Sequence, residues 1–301
     1  MTIFRDIALF LLLSFLWGTA FVAISAGLEY IPPVLFASIR YDIAAILMLV
    51  YAAVGTSAWI PRTRSDWLSI SIGSILVIAL YNALLFTGQQ VVTSGVAAIL
   101  IAVNPILATG FSRVFLRDAR MTRLGIVGLF LGFVGVGLVV APNPSELSSA
   151  HLLASGFVLA AATCVALGSV LMQRTDSGLS TEATVAWSCL FGAIILHGIS
   201  LGISTESLDS ARFSMDALGA VLYLAIFASA IGYFLYFHLL DRLGAVEINL
   251  VSYAAPVFAA LFGWLLLGEV ITGQTVTGFL VIFLGFVLLK HEVIAGAFRL
   301  H

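Results

Sequence analysis

Residues 104–118 read NPILATGFSRVFLRD, and residues 255–269 read APVFAALFGWLLLGE. Each sets a proline at the head of an apolar run and an acid at its close. Pro105 and Pro256 stand 151 residues apart, as do Asp118 and Glu269. Just downstream, Gly128 and Gly135 recur 150 residues later as Gly278 and Gly285. The chain of 301 residues therefore reads as a tandem duplication, with one unit over residues 1–145 and the other over 146–301. In a membrane protein such a duplication points to a transporter.

Composition sets the class. The chain is 61% hydrophobic and only 9% charged, with a mean hydropathy of +1.15. Soluble domains carry about 25% charged residues, and no single core hides this much apolar surface. Uncharged runs recur at about 20 residues, the length that crosses a hydrocarbon layer of ~30 Å. The expected class is an all-α integral membrane protein, since open strands would leave backbone groups unpaired in lipid. A net charge of −2 carries no basic excess, so nucleic acid is not expected as a partner. Cys164 and Cys189 both fall in apolar runs, so neither a structural disulfide nor a metal site of the usual kind is expected. The stretch Ile7–Leu28 is too long for the apolar core of a signal peptide and reads as a retained first span.

Ten transmembrane helices are expected, at about 7–28, 33–54, 67–88, 91–112, 124–142, 152–173, 183–205, 217–240, 248–268 and 270–289. The link PNPSELSS at 142–149 breaks helix and joins the halves. With a cytoplasmic N-terminus, the inner segments hold Arg5, Arg62, Arg64, Arg113, Arg117, Arg120, Arg123, Arg174, Arg242, Lys290 and Arg299, and the outer ones only Arg212. That bias places both termini in the cytoplasm. Five spans per half is an odd number, so the second half starts on the opposite side from the first. The two five-helix repeats are then inverted, and can exchange one conformation open to each side.

The motifs resemble those of a known family. Trp17-Gly18 in the first span, LEYIPPVLFASIRYDIAA at 28–45, and the closing stretch of each half are together similar to the EamA-type modules of the drug/metabolite transporter superfamily. The likeness covers essentially the whole chain. It implies a ten-helix bundle around a central cavity. Members of that family move amino acids, nucleosides, sugars or other metabolites, and many bacterial ones are exporters. Two departures stand out: Val165-Ala166 replaces Trp-Gly in the second half, and Arg117-Asp118 replaces the Gly-Glu seen at Gly268-Glu269.

No energy-coupling motif appears. A Walker loop needs Lys after Gly, and the only lysine, Lys290, follows Leu289. Neither cofactor nor metal is expected. Arg40 and Asp42 sit about two turns into the second span, where a charge costs several kcal/mol and must face protein or water. Two residues apart on a helix, they point to opposite sides. Arg40 reads either as the partner of a substrate carboxylate or as a packing or snorkelling residue, and Asp42 either as a proton carrier or as packing.

Mid-depth polar and aromatic residues make up the candidate solute site: Trp17, Thr19, Tyr81, Asn82 and Asn104 in the first half, and Trp187, Tyr233, Tyr236, Asn249 and Tyr253 in the second, together with Arg40. Tyrosine and tryptophan pair an apolar body with one hydrogen-bonding end, which suits a small amphipathic solute. The alternative for each is packing between helices or contact with lipid. Trp59, Trp67 and Trp264 read as interfacial belts. Asn104-Pro105 and Ala255-Pro256 should bend the fourth and ninth spans, as hinges or as static kinks. The glycines at 125, 128, 132 and 135, echoed by Gly278 and Gly285, read as close-packing scaffold or as a dimer seam. His197 and His238 read as interfacial or as pH-responsive, and Glu247 as a cap of the ninth span.

The functional expectation is a secondary transporter of small metabolites, working by alternating access as an exporter of large apolar or aromatic amino acids. The alternative is a carrier of another metabolite or drug, such as a nucleoside or sugar derivative. An intramembrane enzyme is disfavoured: Tyr41-Asp42 matches half of an aspartyl-protease pair, but no Gly-x-Gly-Asp partner and no His-Glu-x-x-His occurs. A channel is disfavoured because one duplicated chain supplies a whole path without an oligomer axis. A monomer suffices for that path, and a dimer stays compatible with it.

Overall fold

The computed structural model describes residues 2–115, 123–140, 148–243, 248 and 250–289, and contains no strand among them. Ten apolar helices follow in order. They are α1 (Thr2–Leu28), α2 (Pro33–Gly55), α3 (Arg64–Gly88), α4 (Ser94–Phe115), α5 (Arg123–Val140), α6 (Ser149–Gln173), α7 (Thr181–Leu201), α8 (Met215–Leu243), α9 (Val251–Leu267) and α10 (Gly273–Leu289). The fold is all-α and membrane-spanning, as the composition requires.

Side chains start most of these helices, because a helix N-terminus leaves amides that lipid cannot satisfy. Thr63 and Asp66 form a reciprocal cap on α3. Ser148, Ser180 and Ser214 accept from His151, Ala183 and Ala217 at the heads of α6, α7 and α8. Two caps come from distant carboxylates. Glu206 accepts from the Val34 and Leu35 amides at 3.0 and 2.9 Å, closing α2. Glu269 accepts from the Ser94 amide at 2.9 Å and from its hydroxyl at 2.5 Å, closing α4. The acid that marks the duplicated motif thus ties the end of α9 to the start of α4. Asp118 and Glu247 lie outside the described residues. Gly268 ends α9 with φ +66°, a conformation glycine adopts freely.

Two features depart from plain α-helix. Within α3, Gly73–Leu80 is π-helical, and within α8, Tyr223–Ile231 is too. The segments begin 150 residues apart, so the wide turn is itself duplicated. The two prolines behave differently. The fourth span is interrupted at Ala102-Val103, just before Asn104-Pro105, whereas α9 runs unbroken through Pro256. Ile106 donates to Val103 across the interruption at 2.9 Å, so a tight turn covers part of the deficit left by Pro105.

The glycine stripe explains the α5–α10 seam. A Cβ on Gly285 would lie 2.6 Å from the Gly128 carbonyl oxygen, and one on Gly135 would lie 2.7 Å from that of Gly278. Residue 128 meets 285 while 135 meets 278, so the helices are antiparallel, backbone against backbone. These four glycines face each other within one chain, which corrects the dimer-seam alternative: the face is already occupied. α2 and α7 are antiparallel as well. Ser180 bonds Thr56 at one end of their seam, His197 bonds Asp42 further along it, and Met48 and Ala52 pack on Ala183 and Ala186 between. Gly18 lets α9 approach α1, since a Cβ there would meet the Ala255 carbonyl.

Contacts between chain ends sort into two groups. At one end Arg242 holds Asp6 at 2.9 Å, Gly178 donates to Asp66 at 3.0 Å, and Ser180 donates to the Ala58 carbonyl at 3.1 Å. At the other, Arg212 donates to the carbonyls of Tyr30 and Glu29 at 2.8 and 2.9 Å, beside the Glu206 and Glu269 caps. Arg5, Arg62, Arg64, Arg174 and Arg242 belong to the first end and Arg212 to the second.

Replacing Gly128 or Gly285 by Leu should force the α5–α10 seam apart and cost about 1–3 kcal/mol or more. The melting temperature of the purified protein in detergent is expected to fall in both variants. Gly137→Leu should leave it unchanged, because a Cβ there meets nothing within 4 Å.

Candidate functional site

Arg40 is the centre of the candidate site. It sits on α2, is only 8% exposed, and turns inward. Its Nη2 donates to Ser229 Oγ on α8 at 3.2 Å, and its buried Nε has no protein partner. The guanidinium carbon lies 4.8 Å from the Tyr41 ring centroid and 6.0 Å from that of Phe86. Among the described residues no carboxylate lies within ion-pair distance of it. The snorkelling alternative is thereby removed: this cation is held inside by aromatic faces and one hydroxyl.

Around it α3 and α8 supply a polar wall. Asn82 is fully buried; its Nδ2 donates to the Tyr41 hydroxyl at 3.3 Å and to the Ile78 carbonyl at 2.7 Å. Its Oδ1 is buried without a partner. Tyr81 and Tyr233 lie close to Arg40 and Tyr41, each partly buried. Tyr233 meets Trp17 edge-on at 6.3 Å, and Tyr236 stacks on Trp17 at 5.5 Å. Trp17 Nε1 donates to the Ala228 carbonyl at 3.1 Å.

The π-helical segments account for this placement. A π turn widens the helix and interrupts the regular i+4 bonding, so that a carbonyl there can also accept from a side chain. Trp17 donates to the Ala228 carbonyl in the π segment of α8 and Asn82 to the Ile78 carbonyl in that of α3, while Arg40 donates to the Ser229 hydroxyl in the former. Such turns recur at functional sites.

Of the residues expected from sequence, the structure brings together Trp17, Arg40, Tyr81, Asn82, Tyr233 and Tyr236. Thr19 lies one turn from this group's edge, bonded to the Phe15 carbonyl at 2.6 Å and to the Tyr223 hydroxyl. Asn104 begins the second part of α4, with its Oδ1 buried and unpartnered. Tyr253 packs on Phe286 at 4.6 Å and Phe283 at 5.5 Å, with its hydroxyl also unpartnered. Trp187 belongs elsewhere: it donates to the Trp59 carbonyl at 2.8 Å and stacks on Phe191 beside Trp67, at the arginine-rich end. Asn249 lies outside the described residues.

Three participants escaped the sequence reading. Tyr41 is adjacent to Arg40, but its fully buried ring is fixed only by α3 and α8. Ser229 is the one hydroxyl in LAIFASAIG at 224–232, and a lone serine in an apolar span is the signal that could have found it. Gln89, which falls between the expected third and fourth spans, is buried and donates to Ser25 Oγ at 2.8 Å and to the Phe21 carbonyl, closing α1 against the end of α3. Asp42 faces away from Arg40 as its spacing requires, and meets His197.

The comparisons with known proteins agree with this architecture. The EamA-like transporter family matches the chain twice, over residues 5–141 and 152–290. An uncharacterized transporter of Archaeoglobus fulgidus is 28% identical over 273 residues, covering 89% of this chain and 92% of its own. The uncharacterized inner membrane transporter YedA of Escherichia coli is 28% identical, covering 85% and 81%. A solved crystal structure superposes with a TM-score of 0.66 at 21% identity, covering 94% of this chain and 96% of that one, which supports the fold. With seven helices long and apolar enough to cross a membrane, three shorter apolar ones among the described residues, and two family matches that together take in nearly all of it, the chain is a multi-pass membrane protein that belongs to the EamA-like transporter family.

Proposed function

We propose that this transporter carries small metabolites across the cytoplasmic membrane by alternating access, with large apolar or aromatic amino acids as solutes. The observation that carries this reading is the buried, acid-free Arg40. A guanidinium removed from water and left partly unbonded is expensive unless something completes it. A solute carboxylate reaching Nε would do so, as a charge-assisted hydrogen bond. Trp17, Tyr81, Tyr233 and Tyr236 offer ring faces for an apolar side chain, and Asn82 Oδ1 is an acceptor suited to an ammonium group. A single cation fits one carboxylate better than a diphosphate. Export as the direction rests on the family resemblance alone.

The halves at 1–145 and 146–301 are proposed to be inverted repeats that rock against each other. The antiparallel contact of equivalent helices, α5 with α10 and α2 with α7, supports this. So does the contact of residue 128 with 285, matched by that of 278 with 135. Both termini are assigned to the cytoplasm on the strength of the arginine-rich end.

Proteoliposomes should take up labelled large apolar or aromatic amino acids saturably, faster when unlabelled solute is inside; rates equal to those of empty liposomes across the panel would end the amino-acid reading. Arg40→Gln should lower exchange by about 10- to 100-fold, the equivalent of one charged hydrogen bond. Its melting temperature should stay level or rise, because a buried unpaired charge has been removed. A residue that merely braces the bundle would show the reverse pattern. A fluorescent protein fused to the C-terminus should mature inside the cell, and emission confined to the outside would overturn the assigned orientation.

A further inference from the structure

Asp42 and His197 sit inside the spans α2 and α7, on opposite sides of the seam between the proposed halves. His197 Nε2 lies 2.8 Å from Asp42 Oδ2. The two side chains are 48% and 40% exposed, on a face that also presents Ile46, Val50 and Ile194. That face borders acyl chains. Among the described residues this is the one acid–imidazole pair; the other ion pairs join Asp6 to Arg5 and Arg242 at the arginine-rich end.

The surrounding ionisable groups leave the pair to itself. On α2, Arg40 and Tyr41 turn inward, and Tyr51 stacks edge-on against Phe234 beyond the pair. On α7, Cys189 is fully buried and Glu182 lies in the first turn, at the far end of the helix. On α3, Arg64 and Asp66 belong to the arginine-rich end and Tyr81 to the solute cluster. On α8, Tyr223 bonds Thr19, Tyr233 and Tyr236 flank Trp17, Asp216 reaches Tyr30, and His238, Asp241 and Arg242 occupy the last turns. On α1, Arg5 and Asp6 are engaged at one end and Glu29 lies beyond the other.

Charge then decides what the pair does. With neutral imidazole and ionised carboxylate it carries a net charge of minus one against hydrocarbon. One added proton makes it neutral overall, as imidazolium–carboxylate or as imidazole–carboxylic acid. An uncompensated carboxylate in lipid costs several kcal/mol and must reach water or a headgroup. His197 lies one turn from Leu201, the arginine-poor end of α7, which is where the proton can exchange.

We propose that Asp42 and His197 form a proton-binding latch across the α2–α7 seam, closed in the present arrangement when one proton is bound and released when that proton leaves. The proposal rests on the alternating-access reading and adds a coupling ion to it. Its sign follows from linkage: the arrangement that binds the proton is populated at low pH and depleted as pH rises. Because the latch must break for the halves to rock, the solute cycle acquires a dependence on proton concentration.

The test places spin labels on Val54→Cys and Leu201→Cys, at opposite ends of the seam, in the full chain with Cys164→Ser and Cys189→Ala. Distance distributions are recorded in nanodiscs from pH 5 to pH 8.5. The population of the present arrangement should fall by about 5-fold across that range. Asp42→Asn and His197→Gln should each abolish the pH response, and the exchange of the two residues, Asp42→His with His197→Asp, should restore it. A distribution that does not change with pH in the otherwise unaltered protein overturns the latch, and so does a response that survives in both single variants. Gradient-free solute exchange is read on the same preparations. Exchange without a pH response removes the latch and keeps the transporter reading; a pH response without exchange of any amino acid tested keeps the latch and removes the proposed solute class.

Discussion

A peptide group in hydrocarbon has no water to bond, and most of this structure follows from that constraint. It forces ten helices rather than sheets. It also explains what happens at helix ends, where the first amides lack partners. Ser and Thr hydroxyls close α3, α6, α7 and α8 locally. For α2 the partner is a carboxylate from far along the chain, Glu206, and α4 has another, Glu269, beside its local Thr93 cap. The same need that shapes each helix therefore fastens one helix to another. Where the bonding pattern slips, in the two π segments, side chains use the exposed carbonyls, and the polar cluster forms around them.

Helix association in lipid gains little from the hydrophobic effect, so close contact has to supply it. Glycine makes that contact possible in the α5–α10 seam, and again where Gly18 admits the Ala255 carbonyl. The Trp17-Gly18 pair thus serves two ends at once. The glycine sets the distance between α1 and α9, and the tryptophan beside it reaches the π segment of α8. The second half has Val165-Ala166 at the corresponding place. The duplication is consequently unequal at the site: the backbone device recurs in both copies, but the aromatic donor and the arginine occur in the first only.

Two residues of separation on α2 divide the chemistry. Arg40 faces the interior and Asp42 the outer seam, about 200° apart around the helix. Inside, the cation is held by Tyr41, Phe86 and Ser229 without an acid. Outside, the Asp42 carboxyl is bonded to His197. The arrangement keeps the two side chains from pairing with each other within the first half, and turns each to partners in the second.

Much of this was legible in the chain. The span positions agree with the helices to within a few residues, because apolar run length and charge placement fix them locally. The duplication was visible in Pro105 and Pro256 and in the four glycines, since repeats are a property of order along the chain. Of the polar cluster around Arg40, Trp17, Arg40, Tyr81, Asn82, Tyr233 and Tyr236 were recognisable as polar or aromatic residues at mid-depth. Tyr41, Ser229 and the Asp42–His197 contact were not, and Trp187 lies apart from that cluster. Sequence by itself determined class, span number and the internal repeat, because lipid imposes those on composition and periodicity. Which face of each helix meets which neighbour, where the π turns fall, and that Arg40 is left without an acid were decided only by tertiary packing, because azimuth and inter-helix distance depend on contacts among residues more than a hundred positions apart.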